Sequence, residues 1–128
     1  MSQFGADKLI AELTELKYKP EKMKGADGNT YVVFSEYEIV AGKFIGKIIA
    51  LGLLEAVDYP NSVHSSIHVK AMPQLYETTD SVPNVRNIQN SGIGSEWRYW
   101  SKNFNWAAES RKDARRLMAK INTIFEHA

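Results

Sequence analysis

The chain contains no cysteine. That absence alone excludes disulfides, thiolate metal sites and cysteine nucleophiles. No apolar run reaches the roughly 18 residues that a membrane-crossing helix needs, so no transmembrane segment is expected. An excess of one charge is also missing: 16 Lys and Arg stand against 15 Asp and Glu, a formal net charge of +1. A field that weak points to no nucleic acid, membrane surface or strongly acidic partner. The opening MSQFGADKL carries no apolar signal segment, so the expected location is the cytoplasm. No repeat, linker or low-complexity tract divides the sequence, and its 128 residues predict one domain over 1–128.

The central stretch, residues 37–69, reads as antiparallel strands closed by a Tyr-Pro turn. Ahead of it, residues 6–17 (ADKLIAELTELK) place Ala6, Leu9, Ile10, Leu13 and Leu16 on one helical face. Asp7 in the first turn and Lys17 near the end suit the helix dipole, and Pro20 stops the helix. Residues 19–24 (KPEKMK) read as a polar connection, and Asp27-Gly28-Asn29 as a turn. Residues 31–40 are β-branched and aromatic, with Val33, Ser35, Tyr37 and Ile39 expected on one face. Val32, Phe34, Glu36, Glu38 and Val40 are expected on the other. Residues 47–55 are apolar on both faces and predict a central strand.

Tyr59 precedes Pro60 and is expected to be extended within a turn. Residues 66–71 predict a short strand with Ile67 and Val69 inward and His68 outward. From 72 to 94 periodicity fades into a long irregular segment, which in a compact domain is usually functional or mobile. Residues 95–106 then gather Trp97, Tyr99, Trp100, Phe104 and Trp106. A second helix is expected over 109–125, with Ala114, Leu117, Met118, Ile121, Ile124 and Phe125 as its buried stripe. The order helix, strands, aromatic loop, helix predicts an α+β layer with helices on one side of the sheet.

Several of these residues form an ordered set that resembles the ubiquitin-conjugating enzyme superfamily. Tyr59-Pro60 stands between two strand segments, and Trp106 lies just before the second helix. Gly42 to Leu53 (GKFIGKIIALGL), Ile67-His68-Val69 and Trp97 to Ser101 (WRYWS) are similar to the bacterial branch called prokaryotic family E. The resemblance covers roughly residues 30–126. It implies a fold made of an N-terminal helix, a four-stranded antiparallel meander, a long active-site-like loop and a C-terminal helix.

The chain departs from that family in its chemistry. The family's His-Pro-Asn tripeptide has only Pro83-Asn84-Val85 or Arg86-Asn87-Ile88 as its nearest text. The family's thioester relay needs a thiolate, which is both nucleophile and leaving group, and the segment from Gly92 to Trp100 contains none. The resemblance therefore implies a non-catalytic variant that binds a ubiquitin-like protein, an activating enzyme or an active conjugating enzyme. By resemblance, the partner contacts fall on Lys8, Glu12, Lys17, Tyr59 and Pro60. No cofactor is implied, and the oligomeric state is left open.

Other constellations are weaker. Ser95 or a histidine, His64 or His68, is the candidate for a nucleophile other than cysteine, and His64 and His68 with Asp58 are also residue types for metal binding or acid/base work. A serine there would form an ester, a poorer donor than a thioester. Ser65 or Ser66 with His64 and Asp58 supplies the residue types of a hydrolase triad, but no GxSxG elbow accompanies them. His64 and His68 on a strand would lie about 13 Å apart, too far for one metal. Trp97 and Trp100 suit a recognition surface, since aromatic residues dominate binding hot spots. An extended WRYWS cannot put Trp97, Tyr99 and Trp100 on one face, so at least one is expected to be exposed. Arg111, Lys112, Arg115, Arg116 and Lys120 read as a solvated helix face, diluted by Glu109, Asp113 and Glu126.

Overall fold

The computed structural model describes residues 4–64, 66–80, 82–83, 85, 87–102 and 105–128. Ser65, Asn84, Arg86 and Phe104, named above, lie outside the described residues. Helix α1 (Gly5–Glu15) is followed by strands β1 (Pro20–Lys24), β2 (Thr30–Glu38), β3 (Ile48–Leu54), β4 (Ile67–Lys70), β5 (Asn87–Asn90) and β6 (Arg98–Ser101). A short 3-10 turn at Trp106–Ala108 leads into helix α2 (Ala114–His127). All pairings are antiparallel, in the order β1-β2-β3-β4-β6-β5.

The α+β expectation holds, but among the described residues the sheet has six strands rather than four. The polar connection at 19–24 is the edge strand β1, which buries neither face fully and so lacks an alternating apolar pattern. Strands β5 and β6 emerge from the stretches read as irregular. Each is four residues long and fully buries one side chain, Ile88 and Trp100 respectively. Patterns that short are set by pairing partners distant in sequence.

Both helices lie on one face of the sheet. Ala6, Leu9 and Leu13 of α1 join Ala114, Leu117, Met118, Ile121, Ile124 and Phe125 of α2 over Val32, Phe34, Leu51, Ile67, Val69 and Trp100. The whole predicted stripe of α2 is buried. Asp113 caps the helix by accepting the Arg116 N–H at 2.9 Å, which holds the Asp113 carboxyl below its usual range. Lys17 is not part of α1: it sits just past the C-terminal end in the left-handed region, with φ 75°.

The expected face assignment of β2 is overturned by a β-bulge. Phe34 pairs with Leu51, whereas Tyr37 pairs with Ile49, so β2 spends one residue more than β3. Ser35 and Glu36 are both exposed there, and side-chain parity inverts across them. Val32 and Phe34 before the bulge therefore share the helix-side core with Tyr37 and Ile39 after it, while Tyr31 and Val33 face the opposite side.

Glu12 joins three elements that sequence keeps far apart. Its Oε1 accepts from the Tyr59 hydroxyl at 2.5 Å and from the Ala114 N–H at 3.0 Å, and its Oε2 pairs with Lys8 at 2.9 Å. Tyr59 is 1% exposed, and burial together with this carboxylate drives its hydroxyl far above the usual tyrosine range. The Trp106 indole donates to the Pro60 carbonyl at 2.8 Å, which fixes the lead into α2 on the same turn. Glu12→Ala strands a buried hydroxyl and a helix N-terminal N–H, and is expected to cost about 2 kcal/mol in urea unfolding. Lys8→Ala removes only a partly exposed ion pair and is expected to cost less than about 1 kcal/mol. Equal losses for the two variants would show that Glu12 acts only through Lys8.

Candidate functional site

The face of the sheet away from the helices carries the site features. Gly52 lies mid-strand in β3, where a Cβ would come within 2.7 Å of the Ile93 side chain and 3.3 Å of Trp97. That gap lets residues 91–97 fold over the sheet as a roof. Ile93 and Trp97 then form a second apolar layer with Tyr31 and Val33. The roof is latched to the β1–β2 turn by Ala26 N–H to the Ile93 carbonyl (2.9 Å) and Asp27 N–H to the Gly92 carbonyl (3.0 Å). At Gly92 any Cβ would collide with the Asp27 carboxylate, which accepts the Tyr31 hydroxyl at 2.7 Å. The Asn29 N–H and this hydroxyl hold the Asp27 carboxyl below its ordinary range.

His68 lies under this roof. It is on the outer face, as its strand position predicts, but it is 6% exposed rather than solvated. Its Nδ1 is 2.7 Å from the Ser91 hydroxyl, which also accepts the Ile93 N–H at 3.0 Å. The rings of Tyr31 and Tyr99 each stand 5.1 Å from the imidazole. Burial pushes the His68 pKa down to about 4; the Asp27 charge opposes the shift and His64 adds to it. The ring is therefore neutral at physiological pH. Beside it opens a cleft of about 260 Å³ lined by Leu54, Val63, His64, Ser66, His68 and Tyr99. The Tyr99 hydroxyl donates to Ser66 Oγ at 3.0 Å.

A larger groove of about 530 Å³ also opens on the protein surface. Ile48, Ala50, Met72 and Pro73 supply its apolar wall, and Lys70, Glu77, Ser95, Glu96 and Arg98 are among its polar lining. The charges are paired within the rim, Lys70 with Glu96 at 3.4 Å and Arg98 with Glu77 at 2.7 Å. Ile48 and Met72 are 62% and 96% exposed, although both are large and apolar.

The sequence candidates divide between these places. Ser95 is exposed on the groove, whereas His64 and His68 line the separate cleft, so these three candidates do not form one site. Asp58 takes the Ser62 hydroxyl and Ser66 takes that of Tyr99, so no triad forms among the described residues. His68 finds its hydroxyl partner in Ser91, which sequence reasoning missed. The only local trace of that pairing is the Ser91-Gly92 step that lets the chain turn under the latch.

Trp97 and Trp100 do point to opposite sides, but neither is exposed. Trp100 is in the helix-side core and Trp97 in the second layer. The expectation that at least one of Trp97, Tyr99 and Trp100 is exposed is not met, because Tyr76 and Phe125 cover Trp100, Trp97 packs with Ile93 in the second layer, and Tyr99 is half-buried beside His68. Tyr59 is likewise interior, Glu12 is tied up within the chain, and Pro60 is half-buried. Lys17 is exposed and Lys8 partly so. Of the basic residues in and before α2, Arg116 and Lys120 pair with Glu109, and Arg111 with Asp113.

No protein-family model, curated protein or solved structure matches the chain. Among the described residues, no helix is long and apolar enough to cross a membrane.

Proposed function

We propose that the chain is a ubiquitin-conjugating-enzyme-like protein of a bacterial, cytoplasmic ubiquitin-like modification system, and that it binds rather than catalyses. It takes a ubiquitin-like protein, an activating enzyme or an active conjugating enzyme as its partner. The observation that carries the reading is a groove with exposed apolar Ile48 and Met72 and internally paired rim charges, in a chain with no thiol. Such a surface offers a partner apolar anchoring without charged selection. That is the character of an interface core.

The test is a pull-down from native lysate with mass spectrometry and crosslinking. Recovery of a ubiquitin-like protein or an adenylating enzyme, crosslinked near Lys70, is the expected result. Ile48→Lys with Met72→Lys is expected to weaken capture by about ten-fold or more, the scale of losing one hot-spot contact. Recovery of an unrelated stable complex instead would make the chain a structural subunit.

The contact between Ser91 Oγ and His68 Nδ1 favours a second reading, an enzyme with a non-cysteine nucleophile. In it Ser91 replaces Ser95 as nucleophile and His68 accepts its proton. A base with a pKa of about 4 is poorly matched to neutral pH, which ranks this reading second. Labelling by a fluorophosphonate probe that disappears in Ser91→Ala would promote it.

A further inference from the structure

We propose that the chain self-associates through the outer edge of β5, joining the sheets of two copies across a two-fold axis. Strand β5 ends the sheet order and, among the described residues, pairs only with β6. A sheet edge presents backbone N–H and C=O groups that another strand can take, and proteins usually guard such edges with proline and charge. The opposite edge is guarded in that way. Strand β1, PEKMK, begins with Pro20 and carries Glu21, Lys22 and Lys24. Strand β5, NIQN, has neither proline nor charge.

Register decides which edge can pair with itself. A two-fold axis normal to the sheet keeps the helix side of one copy beside the helix side of the other. Facing residues must then belong to the same side of both strands. Ile88 belongs to the helix-side core and is 4% exposed, while Asn87 and Gln89 are exposed. Placing Ile88 on the axis sets Asn87 of each copy opposite Gln89 of the other. These are two amide pairs, each able to donate and accept. For β1 the corresponding registers put Lys22 opposite Lys22, or Lys22 opposite Lys24. Like charges directly opposite are destabilising, and Pro20 lacks a donor. One edge is thus self-complementary and the other is self-repelling.

Sedimentation velocity of the full chain over a concentration series tests the interface. The expected result is a mass rising from 14.5 kDa toward twice that value as concentration increases. Asn87→Lys with Gln89→Lys sets lysine against lysine twice and is expected to remain at 14.5 kDa where the native chain is mostly dimeric. Asn87→Glu with Gln89→Lys sets opposite charges together twice and is expected to restore association. Both positions are exposed, and unchanged circular dichroism would confirm that the variants fold. A native chain that stays monomeric at its highest soluble concentration overturns the proposal. So does a double-lysine variant that associates like the native chain, or a charge-swapped variant that does not.

Discussion

Trp100→Ala is expected to cost about 3–5 kcal/mol of folding stability, the range for truncating a fully buried large aromatic side chain. Trp100 is 0% exposed and sits on β6 opposite both Ile67 and Ile88. Its ring lies 5.4 Å from Tyr76 and 5.5 Å from Phe125, so it is packed among the sheet, α2 and the segment before β5. No neighbouring side chain can fill the space left without abandoning its own contacts. Total stabilities of small domains run about 5–15 kcal/mol, so the variant loses a large share of the available margin. Urea unfolding measures it, with Val57→Ala at an exposed site as the control. A loss below about 1 kcal/mol for Trp100→Ala would mean that the aromatic segment is not part of the core.

Acidification is expected to remove about 3 kcal/mol through His68 alone. The folded-state pKa is lowered from 6.5 to about 4, and each unit corresponds to about 1.4 kcal/mol. Above pH 6.5 the imidazole is neutral in both states and there is no penalty. As pH falls from 6.5 toward 4, the unfolded chain takes up a proton that the folded chain refuses, and stability drops. Below about pH 4 the folded ring also protonates and the His68 contribution levels off. Asp27 and Asp113, whose carboxyls are held low, lose their contributions at more acid pH, and Glu109 begins to lose its own only near the acid end of this window. Unfolding measured at several pH values should therefore show a slope between 6.5 and 4 that His68→Asn abolishes. Asparagine keeps a polar atom near the Nδ1 position for Ser91 but cannot titrate. A slope that survives in His68→Asn would assign the acid sensitivity to other groups.

Long periodic segments were legible from sequence. The six-residue stripe of α2, the face of α1 and the central place of β3 follow from apolar spacing, because each buries a face in a way its own residues encode. Strand β1 was not legible, because an edge strand with little burial has no pattern to read. Strands β5 and β6 were hidden because four residues with one buried side chain carry almost no period. Strand β6 exists by pairing with β4, and β5 by pairing with β6. At the bulge, strict alternation misassigns the faces of β2, since one extra residue inverts everything that follows. The histidine site failed differently. His68 was placed on the right face, but its cover comes from residues 91–97, which have no periodicity. Gly52 is where that cover approaches the sheet closely, with Ile93 and Trp97 over it.

The hydrogen bonds from Ala26 and Asp27 to the roof have a mechanical meaning as well. An open sheet can flex strand by strand, so a cleft on its surface changes width as the strands breathe. Here a strap runs from the β1–β2 turn across the sheet to the β5–β6 hairpin, and flexing either end pulls on the other. Ile93 and Trp97 are thereby held down on Tyr31 and Val33 from both ends of the sheet.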